Sequence, residues 1–213
     1  MALKELEQRS YSCEVRAEVN ERGRVIVGRP IVYESKTDFG WFDEIIERGA
    51  LDGADLTDVR FLVNHDLSKI PLARSRRNNG NSTMQLSPDF EGLSIEAVID
   101  TENNQDARAL YSATQRGDIT GMSFMFSIDD EEWENLESNH PTRRIKKIGS
   151  VVEVSAVTFP AYDATEINVR SKEALDNAKL ALEKAKEQRG ELVETSQSKL
   201  ELEKAKFNFK SRL

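Results

Sequence analysis

The chain is poor in most of the groups that simple site chemistry needs. Its 213 residues include one cysteine, two histidines, five prolines and two tryptophans. A lone Cys13 excludes an internal disulfide and fits a reducing compartment. Two distant histidines and one cysteine cannot supply a zinc set at the usual spacings, so no metal centre is expected. The acidic run Asp129-Asp130-Glu131-Glu132 lacks the ligand spacing of a calcium loop and reads as a solvated turn. Gly117-Asp118-Ile119-Thr120-Gly121 follows a helix instead of opening one, which excludes a phosphate loop. No apolar run approaches the ~20 residues of a membrane span. The N-terminal MALKELEQRSYS has no apolar signal core, so no secretion is expected. Positive charge is also in deficit. Thirty Lys and Arg face 38 Asp and Glu, a net charge of -8 that argues against a nucleic-acid partner.

What is present divides into two parts. Hydrophobic residues reach only 38% against 32% charged, so part of the chain should be polar and extended. Residues 1–169 are mixed, with short alternating or apolar runs punctuated by glycine and proline. Residues 170–213 contain no proline and one glycine and are rich in Ala, Leu, Glu and Lys, which is helix composition. Strands are predicted at Ser12–Val19, at Arg24–Tyr33 with a bend near Pro30, and at Arg60–His65. Thr83–Ser87 and Gly92–Ile99 pair across a turn at Pro88-Asp89, and Gly121–Ile128 and Val151–Phe159 complete the set. Short helices are predicted at Phe42–Arg48 and Asn104–Arg116, the second with Ala107, Leu110, Tyr111 and Thr114 on one face. Many short strands and few helices indicate a mainly β fold, an antiparallel barrel or sandwich with helices packed outside. In the tail, Leu175, Ala178, Leu182 and Ala185 form one apolar stripe. Val193, Leu200 and Phe207 form another, beside Leu202 and Phe209, which predicts two amphipathic helices.

Glu153 poses the chemical question. It lies between Val152 and Val154 in a strand that should be buried, and a buried carboxylate needs a partner. A salt bridge to Arg143, Arg144, Lys146 or Lys147 is one answer. His65, closing the apolar run Phe61-Leu62-Val63, is another, whereas His140 lies in a polar loop. Period-two alternation puts Met122, Phe124, Phe126 and Ile128 on a core face and Ser123, Met125 and Ser127 on the other. Gly121 allows a backbone or substrate to approach closely beside Ser123. Met125 stands where the second glycine of a nucleophile elbow would be, which excludes that motif. A buried acid, a strand-end histidine and a serine beside glycine are the parts of a nucleophilic triad.

In order along the chain stand Gly28-Arg29-Pro30-Ile31-Val32-Tyr33, Phe42-Asp43-Glu44-Ile45-Ile46-Glu47-Arg48-Gly49-Ala50, Asn64-His65-Asp66, Pro71-Leu72-Ala73-Arg74 and Gly92-Leu93. They are followed by Gly121-Met122-Ser123-Phe124-Met125-Phe126 and by Glu153-Val154-Ser155-Ala156-Val157-Thr158-Phe159-Pro160-Ala161-Tyr162. From Gly23 to Val169 this ordered set resembles the prohead serine proteases of tailed bacteriophages, which are similar to the herpesvirus assemblins. Ala73 departs from a glycine common in the family. The resemblance implies a small antiparallel β-barrel surrounded by helices, often dimeric and without a cofactor. It implies His65 as general base, Ser123 as nucleophile and Glu153 as third member. Gly121, Arg143, Arg144 or backbone N–H groups are the candidates for the oxyanion or substrate contacts. The implied activity is a serine endopeptidase inside the assembling prohead in the host cytoplasm. It would cleave the scaffolding segment of the major capsid protein and the protease itself. The helical tail would bind scaffold or oligomerise, and Lys206–Ser211 would be a self-cleavage site. The alternatives are a catalytically inert capsid-assembly or scaffold protein with the same fold, and a binding module held together by the tail.

Overall fold

Apolar side chains at alternate positions build two sheets. The computed structural model describes residues 6–76, 81–158 and 176–190. Its strands are β1 (Glu7–Ser12), β2 (Arg16–Asn20), β3 (Gly23–Val32), β4 (Lys36–Asp38), β5 (Asp43–Ile46), β6 (Asp58–Val63), β7 (Ala73–Arg76), β8 (Met84–Pro88), β9 (Gly92–Val98), β10 (Gly121–Glu134) and β11 (Thr142–Val157). Helix α1 (Gln105–Gln115) lies between β9 and β10. One sheet runs β1-β10-β11-β5-β4, with β6 on β11 and β7 on β6; the other runs β2-β3-β9-β8. β11 is long enough to serve two neighbours in parallel, β5 along Thr142–Ile145 and β6 along Glu153–Ala156.

The fold is mainly β, as the spacing of apolar runs predicts. Each sheet ends in edge strands, and no closed barrel is found among the described residues. Met122, Phe124 and Phe126 of β10 are fully buried and pack with Ile26, Ile31, Leu93 and Ile95 of the smaller sheet. Removing each such side chain from water stabilises the fold by roughly 1.5–3 kcal/mol. Helix α1 adds Ala107, Leu110 and Tyr111 to that core. It starts where the Asn104 side chain accepts from the N–H groups of Asp106 and Ala107.

Three expectations change. Phe42–Arg48 is not a helix: Asp43–Ile46 is a strand, because β4 and β11 offer its backbone ladders on both sides and Ile45 and Ile46 suit a pleated surface. The strand predicted at Ser12–Val19 breaks into β1 and β2, which belong to different sheets. The acidic run at Asp129–Glu132 is strand rather than turn, since the basic start of β11 lies across from it. Glu132 pairs with Arg144 and Asp130 with Lys147 in register.

The β8–β9 turn shows how local chemistry fixes one connection. Gly92 has φ +149°, and a Cβ there would lie 1.9 Å from the Ile31 carbonyl oxygen. Asp89 Oδ1 accepts from the N–H of Glu91 and Gly92, and both carboxylate oxygens take the Arg29 guanidinium at 2.6 and 2.8 Å. The Arg29 hydrogen bonds hold the Asp89 carboxyl down at about 2, from an ordinary value of 3.8. A depressed carboxylate stabilises the fold above its unfolded pKa and stops doing so as pH falls through the folded value. Asp89→Asn should therefore be less stable than wild type at pH 7, by about 1 kcal/mol or less because the pair is part-exposed. The gap should close between pH 3.8 and about 2, which urea unfolding at a series of pH values would check.

Residues 176–190 form a helix, α2. Ala178 and Leu182 of the predicted stripe are buried against Phe42, Trp133 and Leu136, with Ala185 packed beside them. Leu175, the second stripe, Lys206–Ser211 and Phe159–Val169 lie outside the described residues. No described helix is long and apolar enough to cross a membrane.

Candidate active site

The site is assembled by the order β1-β10-β11-β6 across one sheet. Ser123 on β10 lies directly opposite Ser155 on β11, and Met125 opposite Glu153. Ser123, Ser155 and Glu153 therefore share the face turned away from Phe124 and Val154. β6 runs parallel on the other side of β11, and at its end the chain must turn. It does so through Asn64 (φ 51°) and His65 (φ 57°), two consecutive residues in a conformation that costs of order 1 kcal/mol or more each. Several hydrogen bonds impose that turn. Asn64 N–H donates to the Ala156 carbonyl at 3.0 Å, Thr158 N–H and Oγ–H donate to Asn64 Oδ1, and His65 N–H donates to Ser155 Oγ at 3.1 Å.

The turn lays the imidazole over the three side chains. His65 Nδ1 is hydrogen-bonded to Glu153 Oε1, and His65 Nε2 lies 2.5 Å from Ser123 Oγ. The second oxygen, Glu153 Oε2, accepts from Ser155 Oγ at 2.7 Å. Glu153 is 1% exposed, so both its oxygens are satisfied inside the protein. A carboxylate on Nδ1 fixes the proton there and leaves the Nε2 lone pair for the serine hydroxyl.

The other answers for Glu153 do not hold. Arg143 donates through Nε to Glu131, through Nη1 to Glu7 and Glu44, and through Nη2 to Glu7 and Glu131. All five of its N–H groups are committed, so it has none left for Glu153 or for an oxyanion. Arg144 donates to Glu134 at 2.7 Å and lies within 4 Å of Glu34 and Glu47; Lys146 pairs with Glu132. Of the two arginines weighed for an oxyanion or substrate contact, Arg143 is held by the acids around it and Arg144 pairs with Glu134. Gly121 lies two residues before Ser123 at the start of β10, opposite Ser12 on one side and Val157 on the other. His140 is near Asp43, with Nε2 3.1 Å from Oδ1, and Asp38 is close by. Lys36 already pairs with Asp43 there.

Ser123 is fully buried, and its surroundings include groups that the sequence did not announce. β1 pairs antiparallel along β10, placing Ser10 opposite Ser123. Ser10 Oγ–H donates to Ser123 Oγ at 2.9 Å, and the Arg9 carbonyl accepts from Ser123 Oγ at 2.7 Å. The Arg9 side chain turns to the opposite face. It meets Glu44 at 2.5 and 2.7 Å and Glu7 at 2.5 Å, within 5.1 and 5.7 Å of the rings of Phe39 and Phe126. Burial alone would push the Arg9 pKa down, but the Glu44 and Glu7 carboxylates reverse that and raise it. Burial would likewise raise Glu7, and Arg9 and Arg143 instead hold its carboxyl below the usual range. Two positioning features were legible only in part. Ser155 is two residues from Glu153 and so shares its face, whereas the polar EQRSYS of β1 has no apolar alternation to mark it as strand. A cleft of about 390 Å³ opens beside the His65 turn, lined by Val63, Asn64, Asp66, Leu72, Leu110 and Ile119 among others.

A mainly β scaffold carrying a serine, an imidazole and an acid in one hydrogen-bonded row defines a class, the hydrolase-like Ser-His-acid proteins. The chain belongs to the Caudovirus prohead serine protease family, whose profile matches residues 11–180 and so reaches into the tail. It is 29% identical over 128 residues to the prohead protease of Enterobacteria phage HK97, covering 58% of this chain and 51% of that protein. The chain thus spans about half the length of that curated relative. Among solved structures, the bacteriophage T4 capsid assembly protease aligns with a TM-score of 0.41 at 14% identity, over 72% of this chain and 97% of the other.

Proposed function

We propose that this protein is a serine endopeptidase of phage prohead maturation, with Ser123 as nucleophile, His65 as general base and Glu153 as the acid that orients it. The observation that carries the reading is the unbroken row Glu153–His65–Ser123 inside a family of prohead serine proteases. Ser123 Oγ attacks a peptide carbonyl carbon while its proton passes to His65 Nε2. Glu153 stabilises the imidazolium so formed. That proton then goes to the leaving amine, and water, deprotonated by the same imidazole, releases the acyl group. Every proton in this cycle has a place on these side chains, so the chemistry calls for no cofactor.

The substrates are the scaffolding segment of the major capsid protein and the protease itself, and the place of action is the assembling prohead in the host. A homodimer and recruitment to scaffold through the tail belong to the same reading. Gly121, having no side chain, leaves room for a substrate backbone beside Ser123. The competing reading, an inert assembly protein, needs no such aligned row.

Labelling with a serine-directed fluorophosphonate tests the assignment. Modification should map to Ser123 and vanish in His65→Ala. Modification at another serine, or at Ser123 with undiminished rate in His65→Ala, would remove the catalytic reading.

A further inference from the structure

A nucleophile that must meet a peptide is here covered by a peptide. β1 is an edge strand whose removal would leave β10 as the edge, and it lies antiparallel along the Ser123 segment, where an extended substrate would add by strand pairing. It pairs as a substrate strand would, but its contact with the nucleophile is a non-productive one. The Arg9 carbonyl accepts the hydroxyl hydrogen of Ser123, so one proton has two competing acceptors, that carbonyl and His65 Nε2. Withdrawing β1 leaves Nε2 alone, which is the arrangement general-base catalysis requires.

The ion cluster around the Arg9 side chain bears on which residue could take its place. With β1 in place the cluster holds three carboxylates, Glu7, Glu44 and Glu131, and two guanidiniums, Arg9 and Arg143. Glu7 and Arg9 both belong to β1. They leave as a neutral pair, so the net charge of the cluster is unchanged, but Glu44 loses the two hydrogen bonds that the Arg9 guanidinium gives it. Glu44 then keeps Arg143 Nη1 at 3.2 Å and loses the strand that covers it. A substrate residue that takes the register of Arg9 places its side chain beside that carboxylate, where a cation restores the lost bonds.

We infer that β1 is a resident, substrate-like strand that keeps the site latent, and that Glu44 selects a basic side chain on the substrate residue whose carbonyl faces Ser123. The inference rests on Ser123 being the nucleophile. It assigns specificity to Glu44 and makes Arg9 the residue that anchors the occupant.

The test uses the full chain as wild type, Arg9→Gln, Glu44→Gln and Glu44→Asp, each checked for folding by circular dichroism. Arg9→Gln should raise the rate of fluorophosphonate labelling at Ser123 at least tenfold. Internally quenched peptides differing at one position should be cleaved at least tenfold faster with Arg or Lys there than with Leu, Gln or Glu. Glu44→Gln should bring that ratio near one, mainly through KM, and Glu44→Asp should retain it. Equal labelling of wild type and Arg9→Gln would overturn latency, and a preference for apolar or acidic residues would overturn the selectivity. Should Glu44→Gln not fold, the peptide series on Arg9→Gln still decides the selectivity. Absence of labelling in both wild type and Arg9→Gln would instead fell the nucleophile assignment beneath the inference.

Discussion

Ser123→Ala should reduce peptide-bond turnover by about 10⁶-fold, the scale seen when a triad serine is removed from a working protease. The side chain lost is small, and alanine fits the site, because Ser123 contributes only hydrogen bonds to His65, Ser10 and the Arg9 carbonyl. The fold should therefore persist with the His65–Glu153 pair intact, which separates loss of chemistry from loss of structure. Co-expression with the major capsid protein provides the measurement. Wild type should shorten the capsid protein by its scaffolding segment, seen by gel and intact mass, and Ser123→Ala should leave it full length. Processing that continues at the wild-type rate would show that the hydroxyl is not the nucleophile.

Glu153→Gln should lower turnover by about 10⁴-fold while leaving the protein folded. Glutamine has nearly the same shape, and its carbonyl oxygen can still accept from Ser155 Oγ. The amide nitrogen would then face His65 Nδ1 and donate to it. That reverses the imidazole tautomer, so Nε2 carries the hydrogen and cannot take the serine proton. The signature is specific: kcat falls, while substrate affinity and the melting temperature stay close to wild type. An equal loss in Tm and activity would mark Glu153 as a packing residue only. Steady-state kinetics beside thermal unfolding separates the two outcomes.

The parts of the site that face the core were readable from the sequence because burial leaves a periodic trace. The alternation Met122, Phe124, Phe126 placed Ser123 on the opposite face, and the valines around Glu153 marked a buried acid. Both positions stand in the structure as that alternation requires. That His65 reaches both residues depends on β6 lying parallel to β11, a pairing over some ninety residues of sequence that no local pattern encodes. β1 was invisible for a different reason. Its buried face is Glu7 and Arg9, satisfied by Glu44 and Arg143 rather than by apolar partners, so hydrophobic periodicity gives no signal. The same ion cluster holds Arg143, whose three acid partners come from β1, β5 and β10 and so leave no local trace in the sequence. Phe42–Arg48 looked helical because its composition is ambiguous over a few residues. The ladders from β4 and β11 decide it.

The patch where α2 docks gives the chain an optical consequence. Both tryptophans stand there, Trp41 stacked 6.0 Å from Trp133, with Leu182 and Ala178 in the same cluster and Lys179 over the Trp41 ring. Intrinsic emission therefore reports on the seating of the tail and is nearly blind to events at Ser123. A shift to longer wavelength on binding a partner would mean that the helix has lifted from its aromatic seat.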